Sequence, residues 1–209
     1  MRTSFKVLLA IGLGILVLPV ALQSRVKDTV HNLNRSGFTV PNAEVCRPCH
    51  APHNTKALEV GALWNHDLSG GGWALYADAD ANSVFSGSSR LCLSCHDGTV
   101  ALDSYGGATG TQRILGSENL GTELRDDHPI GVLYPTSGTR YNLLGATTAN
   151  AIVDPIETPA GQSAGLEDGR VQCSSCHRAH GTRAADGRMF LRVDNNGSRL
   201  CMTCHISPG

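Results

Sequence analysis

The sequence predicts a mostly irregular, loop-rich fold with short α-helices and minimal β-structure. Glycine is frequent, at 24 of 209 residues, whereas aromatic residues make up only 5% of the chain. No apolar stripe is sustained at the 3.6-residue spacing of a helix, and few stretches alternate as strands do. Ordering the backbone costs about 1–2 kcal/mol per residue. A chain with so few aromatic side chains therefore needs something besides its own residues to complete the core.

The first 24 residues have the layout of a secretory signal peptide. Arg2 and Lys6 supply the positive start, residues 7–20 form a nearly unbroken apolar run, and small or polar residues follow at Ala21 and Ser24. This run is shorter than the ~20 residues that a membrane-spanning helix needs, and a membrane anchor is the alternative interpretation. We expect an exported protein with no stable membrane span after cleavage.

All eight cysteines belong to one motif, C-x-x-C-H, which occurs four times. This spacing is typical of c-type haem attachment, because two thiols one short turn apart can form thioethers with both vinyl groups on one haem edge. The imidazole that follows then binds the iron as the proximal ligand. The sequence therefore predicts four covalently bound haem c groups. The attachment residues are Cys46, Cys49, Cys92, Cys95, Cys173, Cys176, Cys201 and Cys204.

Three other interpretations of the cysteines fit less well. A disulfide framework suits an exported chain but does not require a histidine after every pair. Zinc sites also combine C-x-x-C with histidine, usually in small cytosolic modules. A thioredoxin-like motif would occur once, inside a βαβ pattern that this sequence lacks. Haem attachment accounts for all eight cysteines and for the histidine after each pair.

The nine histidines are enough to give each of four irons two axial ligands. Methionine is the usual alternative sixth ligand, but Met1 lies in the leader and Met202 lies between two haem-binding cysteines, which leaves only Met189. The sequence therefore predicts bis-histidine ligation at all four haems with one histidine to spare. Ordinary surface histidines are the alternative. The expected proximal ligands are His50, His96, His177 and His205, and the distal candidates are His31, His53, His66, His128 and His180.

Two distal candidates follow a proximal histidine by three residues, His53 after His50 and His180 after His177. Side chains at i and i+3 lie only ~5–6 Å apart on a helix. Ligands on opposite faces of one haem need more room, since each metal–nitrogen bond alone takes ~2 Å. We therefore expect His53 and His180 to bind the iron of a neighbouring haem, which would hold two haems close together.

The chain contains an internal duplication of a two-haem unit. A C-x-x-C-H-x-x-H motif opens each half, at 46–53 and 173–180, and the octets 89–96 and 198–205 that follow match at six of eight positions. We interpret the chain as one domain in three parts, with short helices at the motifs. These are a first two-haem module over residues 25–135, a loop-rich joint over 136–170 and a second two-haem module over 171–209.

The haems are expected to supply the missing core. A porphyrin that buries several hundred square ångströms of apolar surface contributes on the order of 10 kcal/mol. Trp64, Trp73, Tyr76 and Phe190 are the aromatic residues that we expect to pack on haem faces. Without haem, the chain is not expected to fold.

With these motifs the chain resembles the multihaem cytochromes c with doubled CxxCH motifs, and among them the tetrahaem OmcE-type outer-surface cytochromes. The resemblance implies bis-histidine ligation throughout, a continuous stack of haems and polymerisation into extracellular filaments. It also implies that one iron per subunit takes its sixth ligand from the next subunit. His31, near the mature N-terminus, is our candidate for that ligand, and internal ligation is the alternative. The matching stretches are 31–34, 46–53, 63–66, 91–99, 119–122, 127–130 and 173–181.

Iron with two histidine ligands has no open coordination position, so we expect outer-sphere electron transfer and no enzyme activity. The favoured function is that of a filament subunit at the cell surface, with copies of itself or other redox proteins as partners. A soluble periplasmic electron shuttle is the main alternative. A multihaem reductase is a weaker one, since it would need a five-coordinate iron. The formal net charge of −1 excludes a polybasic nucleic-acid-binding protein.

Overall fold

A computed structural model describes residues 26–53, 63–141, 165–180, 190–193 and 195–206. Most of these residues lie in turns, bends and irregular segments, which confirms the predicted loop-rich fold class. The signal peptide, most of the joint (142–164) and Met189 lie outside the described residues. The helices are α1 (Ala81–Ser86), α2 (Ser88–His96), α3 (Cys173–Cys176) and α4 (Arg199–Cys204), and the strands β1 (Leu166–Glu167) and β2 (Arg170–Val171) form one antiparallel pair.

Three of these helices carry a C-x-x-C-H motif. α2 ends at His96, and α3 and α4 each end at the second cysteine, so that the following histidine is the C-cap. Positions i, i+3 and i+4 share one face of a helix. A single helical turn therefore presents both sulfur atoms and the imidazole of a motif to the same side.

The first motif forms a hydrogen-bonded turn without a helix. The amide of His50 donates to the carbonyl oxygen of Cys46 at 2.8 Å, and the same bond closes the motifs at 173–177 and 201–205 at 3.0 and 2.9 Å. Pro48 explains the difference, because proline disfavours the α-conformation of the residue before it and removes a backbone donor. The turn therefore closes the first motif with the same hydrogen bond as in the third and fourth motifs, without a helix.

The apolar core is small and lies beside α1 and α2. Val84, Leu93 and Leu124 are buried together, and Trp73, Leu75 and Ile130 pack against them as partly buried neighbours. Gly131 approaches α1 so closely that a Cβ there would lie 2.5 Å from Val84 Cγ2, and its φ of +74° is in the left-handed region that favours glycine.

Among the described residues, no helix is long and apolar enough to cross a membrane.

Candidate haem-binding site

None of the eight cysteines is in a disulfide. One cysteine of each motif lies near enough to a cysteine of the next motif along the chain to influence its pKa. Haem groups attached at these positions would therefore be neighbours. The pairs are Cys49 with Cys95, Cys92 with Cys173, and Cys176 with Cys204.

Burial is the main influence on most of these thiols. It raises the pKa of Cys49 to about 11, that of Cys95 to about 12 and that of Cys176 to about 11. For Cys92 the interaction with the Cys173 thiol raises the pKa most, followed by burial, and the same interaction lowers the pKa of Cys173. The folded chain therefore holds the thiols of Cys49, Cys92, Cys95 and Cys176 neutral at neutral pH. A thioether is also neutral, so haem attachment adds no buried charge at these sulfur atoms.

Three of the four predicted proximal histidines lie near a second histidine ring, at a centroid distance that fits an iron atom between them. Two metal–nitrogen bonds of about 2 Å each, together with the two ring radii, separate the ring centroids of axial ligands by about 6 Å. The structure thus brings three predicted distal ligands to three predicted proximal ligands. The pairs are His50 with His180 at 5.7 Å, His96 with His31 at 6.2 Å, and His205 with His128 at 6.5 Å.

Backbone carbonyl groups lie next to Nδ1 of three of these histidines. Metal-binding histidines generally donate the second ring N–H to a carbonyl or carboxylate, which sets the tautomer and orients the ring. The arrangement leaves Nε2 of each ring available to iron. The Nδ1 contacts are His96 with Glu118 O at 2.8 Å, His128 with Pro129 O at 3.1 Å, and His31 with Ala179 O at 3.5 Å.

The ring of His31 is held on more than one side. Phe190 stacks on it with the ring centroids 4.3 Å apart and an interplanar angle of 21°. Burial lowers the pKa of His31, and burial followed by the nearby His96 lowers that of His177. Both imidazoles are therefore favoured in the neutral form, which is the form that binds a metal.

The other two distal candidates have different surroundings. His66 is 1% exposed, and its Nδ1 and Nε2 lie 2.7 and 3.0 Å from the carbonyl oxygens of Asp67 and Ala101. His53 is exposed and lines an open cavity. Among the ring contacts of the described residues, none joins the fourth proximal histidine, His177, to a second histidine.

The cavity at the first motif suits a porphyrin. Its volume is about 680 Å³, and its lining includes Cys46, Arg47, His50 and His53. Volumes of ~300–1,000 Å³ are typical of cofactor pockets. A haem there would be held by the thiol of Cys46 and the imidazole of His50, and the guanidinium of Arg47 suits a haem propionate.

Trp64 lies next to this motif, with its ring centroid 6.1 Å from that of His50. The side chain is 9% exposed, and its buried Nε1 has no hydrogen-bond partner within the described part of the chain. A buried N–H without an acceptor is unfavourable, and a haem propionate is an acceptor of suitable chemistry. Both features fit the predicted haem.

Sequence reasoning missed Asp97, which directly follows the second motif. The carboxylate is 3% exposed and accepts hydrogen bonds from Ser69 Oγ at 2.5 Å, Trp73 Nε1 at 2.9 Å, and the amide and hydroxyl of Thr99 at 2.8 and 2.7 Å. Trp73 was expected to pack on a haem, and its indole N–H binds this carboxylate. The adjacent motif was the only signal in the sequence that could have pointed to Asp97.

Residues 166–208 match the family model for the doubled CXXCH motif, Paired_CXXCH_1. No curated protein matches the chain. The match confirms the predicted doubled motif in this segment, which contains the third and fourth copies. The four copies are multihaem cytochrome c-type motifs, and their eight cysteines are consistent with four covalent haems.

Proposed function

We propose that this protein is a tetrahaem c-type cytochrome that carries electrons between closely spaced haems. The observation that supports this most strongly is the set of three histidine pairs, whose ring centroids are 5.7–6.5 Å apart. The cysteine contacts between successive motifs add that the haems would be near one another.

The pairs suggest an assignment of the axial ligands. His180 serves the haem attached at the first motif, His31 the second and His128 the fourth. For the third haem we assign His53, because it occupies in the first motif the position that His180 occupies in the third. Each of the two C-x-x-C-H-x-x-H motifs would then supply the distal ligand of the haem attached at the other. His66 is the spare histidine, since backbone carbonyl oxygens adjoin both of its ring nitrogens.

Electron transfer without catalysis follows from this ligation. Haem supplies one-electron chemistry when it is bound, and two histidines at each iron leave no position for a substrate. The chain's contribution is to hold neutral imidazoles in place and to fix the spacing of the attachment cysteines. A reductase would need one iron without its distal histidine.

We propose further that the exported subunits assemble into an extracellular filament, in which electrons pass from one copy to the next. This rests on the resemblance to OmcE-type cytochromes across the motifs. His31 lies beside His96 of its own chain, so our version of the assembly does not use His31 as a ligand in trans. A soluble periplasmic shuttle is the alternative.

The haem assignment can be tested on the purified full chain. Its mass should exceed that of the mature polypeptide by four haems, and denaturation should not release the colour. Carbon monoxide should leave the ferrous spectrum unchanged. His180→Ala should make one haem reactive with carbon monoxide, whereas His66→Ala should leave all four unreactive. Prompt carbon monoxide binding by the wild type would contradict the proposal and favour the reductase.

Electron microscopy of material sheared from native cells tests the assembly. Thin filaments whose subunit mass matches this chain are expected. Discrete particles of one chain, released only with the periplasm, would contradict the filament and support the shuttle.

A further inference from the structure

We propose that a buried polar cluster joining α2 to α3 sets the separation between the second and third haems. This inference rests on the proposed haem binding, and it assigns a positioning role to residues that touch neither iron. We call the group the Ser89–Gln172 cluster. Its members are Ser83, Ser88, Ser89, Glu167, Gln172 and Ser174.

The centre of the cluster is fully buried. Ser89 is 0% and Gln172 is 2% exposed. The hydroxyl of Ser89 donates to Gln172 Oε1 at 2.5 Å and accepts from the amide of Cys173 at 2.9 Å. One side chain of α2 therefore binds the backbone of the cysteine at which the third haem would be attached.

Further bonds hold both sides of this connection. Gln172 Nε2 donates to the hydroxyl and carbonyl oxygens of Ser83 in α1, at 2.9 and 3.2 Å. The hydroxyl of Ser88 donates to that of Ser174 at 2.8 Å. Glu167 accepts from the amide of Ser88 at 2.8 Å and from the hydroxyl of Ser174 at 2.7 Å.

The position of the cluster links it to the haems. Cys92 lies three residues after Ser89 in α2, and the hydroxyl of Ser89 accepts from the amide of Cys173, so the cluster connects the backbone segments that carry the thiols of Cys92 and Cys173. Because a c-type haem is bonded covalently to its cysteines, the relative placement of these two sulfur atoms fixes the relative placement of two haem edges. A polar cluster in which the buried groups are satisfied permits few alternative arrangements. Loss of one member should therefore move one haem against the other.

The test compares Ser89→Ala with Ser198→Ala in the haem-loaded full chain. Ser198 is the equivalent serine of the second octet and is exposed. Circular dichroism in the Soret band reports coupling between neighbouring haems and depends on their distance and orientation. We expect Ser89→Ala to lose part of the wild-type couplet and to keep four haems by mass. Ser198→Ala should keep the whole couplet.

A second variant repeats the test in case Ser89→Ala does not fold. Gln172→Met keeps the length of the side chain but removes its hydrogen bonds, and it should lose the same part of the couplet. Unchanged couplets in both variants, with four haems bound, would overturn the inference and leave the proposed function intact. A lower unfolding temperature with an unchanged couplet would likewise overturn it, because that is the result for a purely structural cluster. A wild-type chain without covalent haem would instead refute the proposed function.

Discussion

The two matching octets, residues 89–96 and 198–205, have similar sequences but different surroundings. In the first octet Ser89, Leu93 and Ser94 are each 0% exposed. In the second, the counterpart of Leu93 is Met202, which is 46% exposed. The first octet lies within a nine-residue helix, whereas α4 has six residues and follows Ser198 in the left-handed conformation, at φ +61°.

The difference comes from the partners of each octet. The helix α2 packs against α1 and α3 and is followed by the buried Asp97 with its hydrogen-bond donors. The helix α4 contacts the 3₁₀ turn Asn196–Ser198 and lies near Tyr134 and Tyr141. The shared residues therefore specify the haem-attachment turn, and the surrounding chain specifies whether that turn also belongs to the core.

Loss of haem attachment should distinguish the octets most strongly. Cys92→Ala with Cys95→Ala, and Cys201→Ala with Cys204→Ala, should each remove one haem by mass. We expect the first double variant to lose the fold around α1 and α3, and the second to retain its other three haems in a folded chain. Thermal unfolding followed by circular dichroism measures this. Equal unfolding temperatures would contradict the central position of α2.

Leu93→Ala and Met202→Ala test the same contrast without touching a cysteine. Removing a fully buried leucine side chain should destabilise the protein by about 2–5 kcal/mol. The exposed methionine should contribute about 0.5 kcal/mol or less. Denaturant unfolding of both variants at equal haem content gives the comparison. Similar losses would mean that Met202 is covered in the folded protein, for instance by a haem or a second subunit.

Asp97 should matter for stability and for redox potential, whereas its counterpart Ile206 should not. Asp97→Ala leaves the donors on Ser69, Trp73 and Thr99 without an acceptor, and we expect a loss of about 3 kcal/mol. Asp97→Asn removes the buried negative charge, which favours ferric iron, so the potential of the haem bound by His96 should rise. Redox titration checks this, with Ile206→Ala as the matched control. An unchanged potential in Asp97→Asn would contradict the electrostatic role.

The smallest expected effect concerns alkaline pH near α4. Burial, followed by the neighbouring Cys204, raises the pKa of Tyr134 to about 12, above the value of about 10 for an unfolded chain. The unfolded state therefore releases this proton first, so stability is lost as the pH rises from about 10 to about 12. Tyr134→Phe should reduce that loss. Unfolding midpoints at neutral and alkaline pH, measured for both proteins, test the sign.

The doubled C-x-x-C-H motif was predictable from the sequence, because its two cysteines and its histidine are close neighbours in the chain, and the family match over residues 166–208 confirms it there. The fold class was predictable as well, from the high glycine content and the lack of periodic apolar stretches. The turn at the first motif replaced an expected helix, for which Pro48 is the local reason.

The ring contacts between the histidines were not predictable, since contacts such as His50 with His180 join distant parts of the chain. Which histidine is the distal ligand of which iron stays a prediction. Asp97 and Gln172 were missed for a related reason. A buried carboxylate or amide has no local sequence pattern, because tertiary contacts supply the partners that allow its burial. The sequence suggested His66 as a ligand. In the structure it is almost fully buried, with a carbonyl oxygen beside each ring nitrogen and Cys95 Sγ 3.7 Å from Nε2.

The contact between His50 and His180 has a consequence for the order in which the protein matures. On the export that we propose, the chain would cross the membrane from its N-terminus, and His180 lies 130 positions after His50. On the ligation that we propose, the iron at the first motif would lack its distal ligand until the third motif has crossed the membrane. The second and fourth haems differ, because His31 and His128 precede their partners in the chain. The first haem to be attached would be among the last to gain its second axial ligand. A nascent chain would therefore pass through a stage in which this iron can bind small ligands.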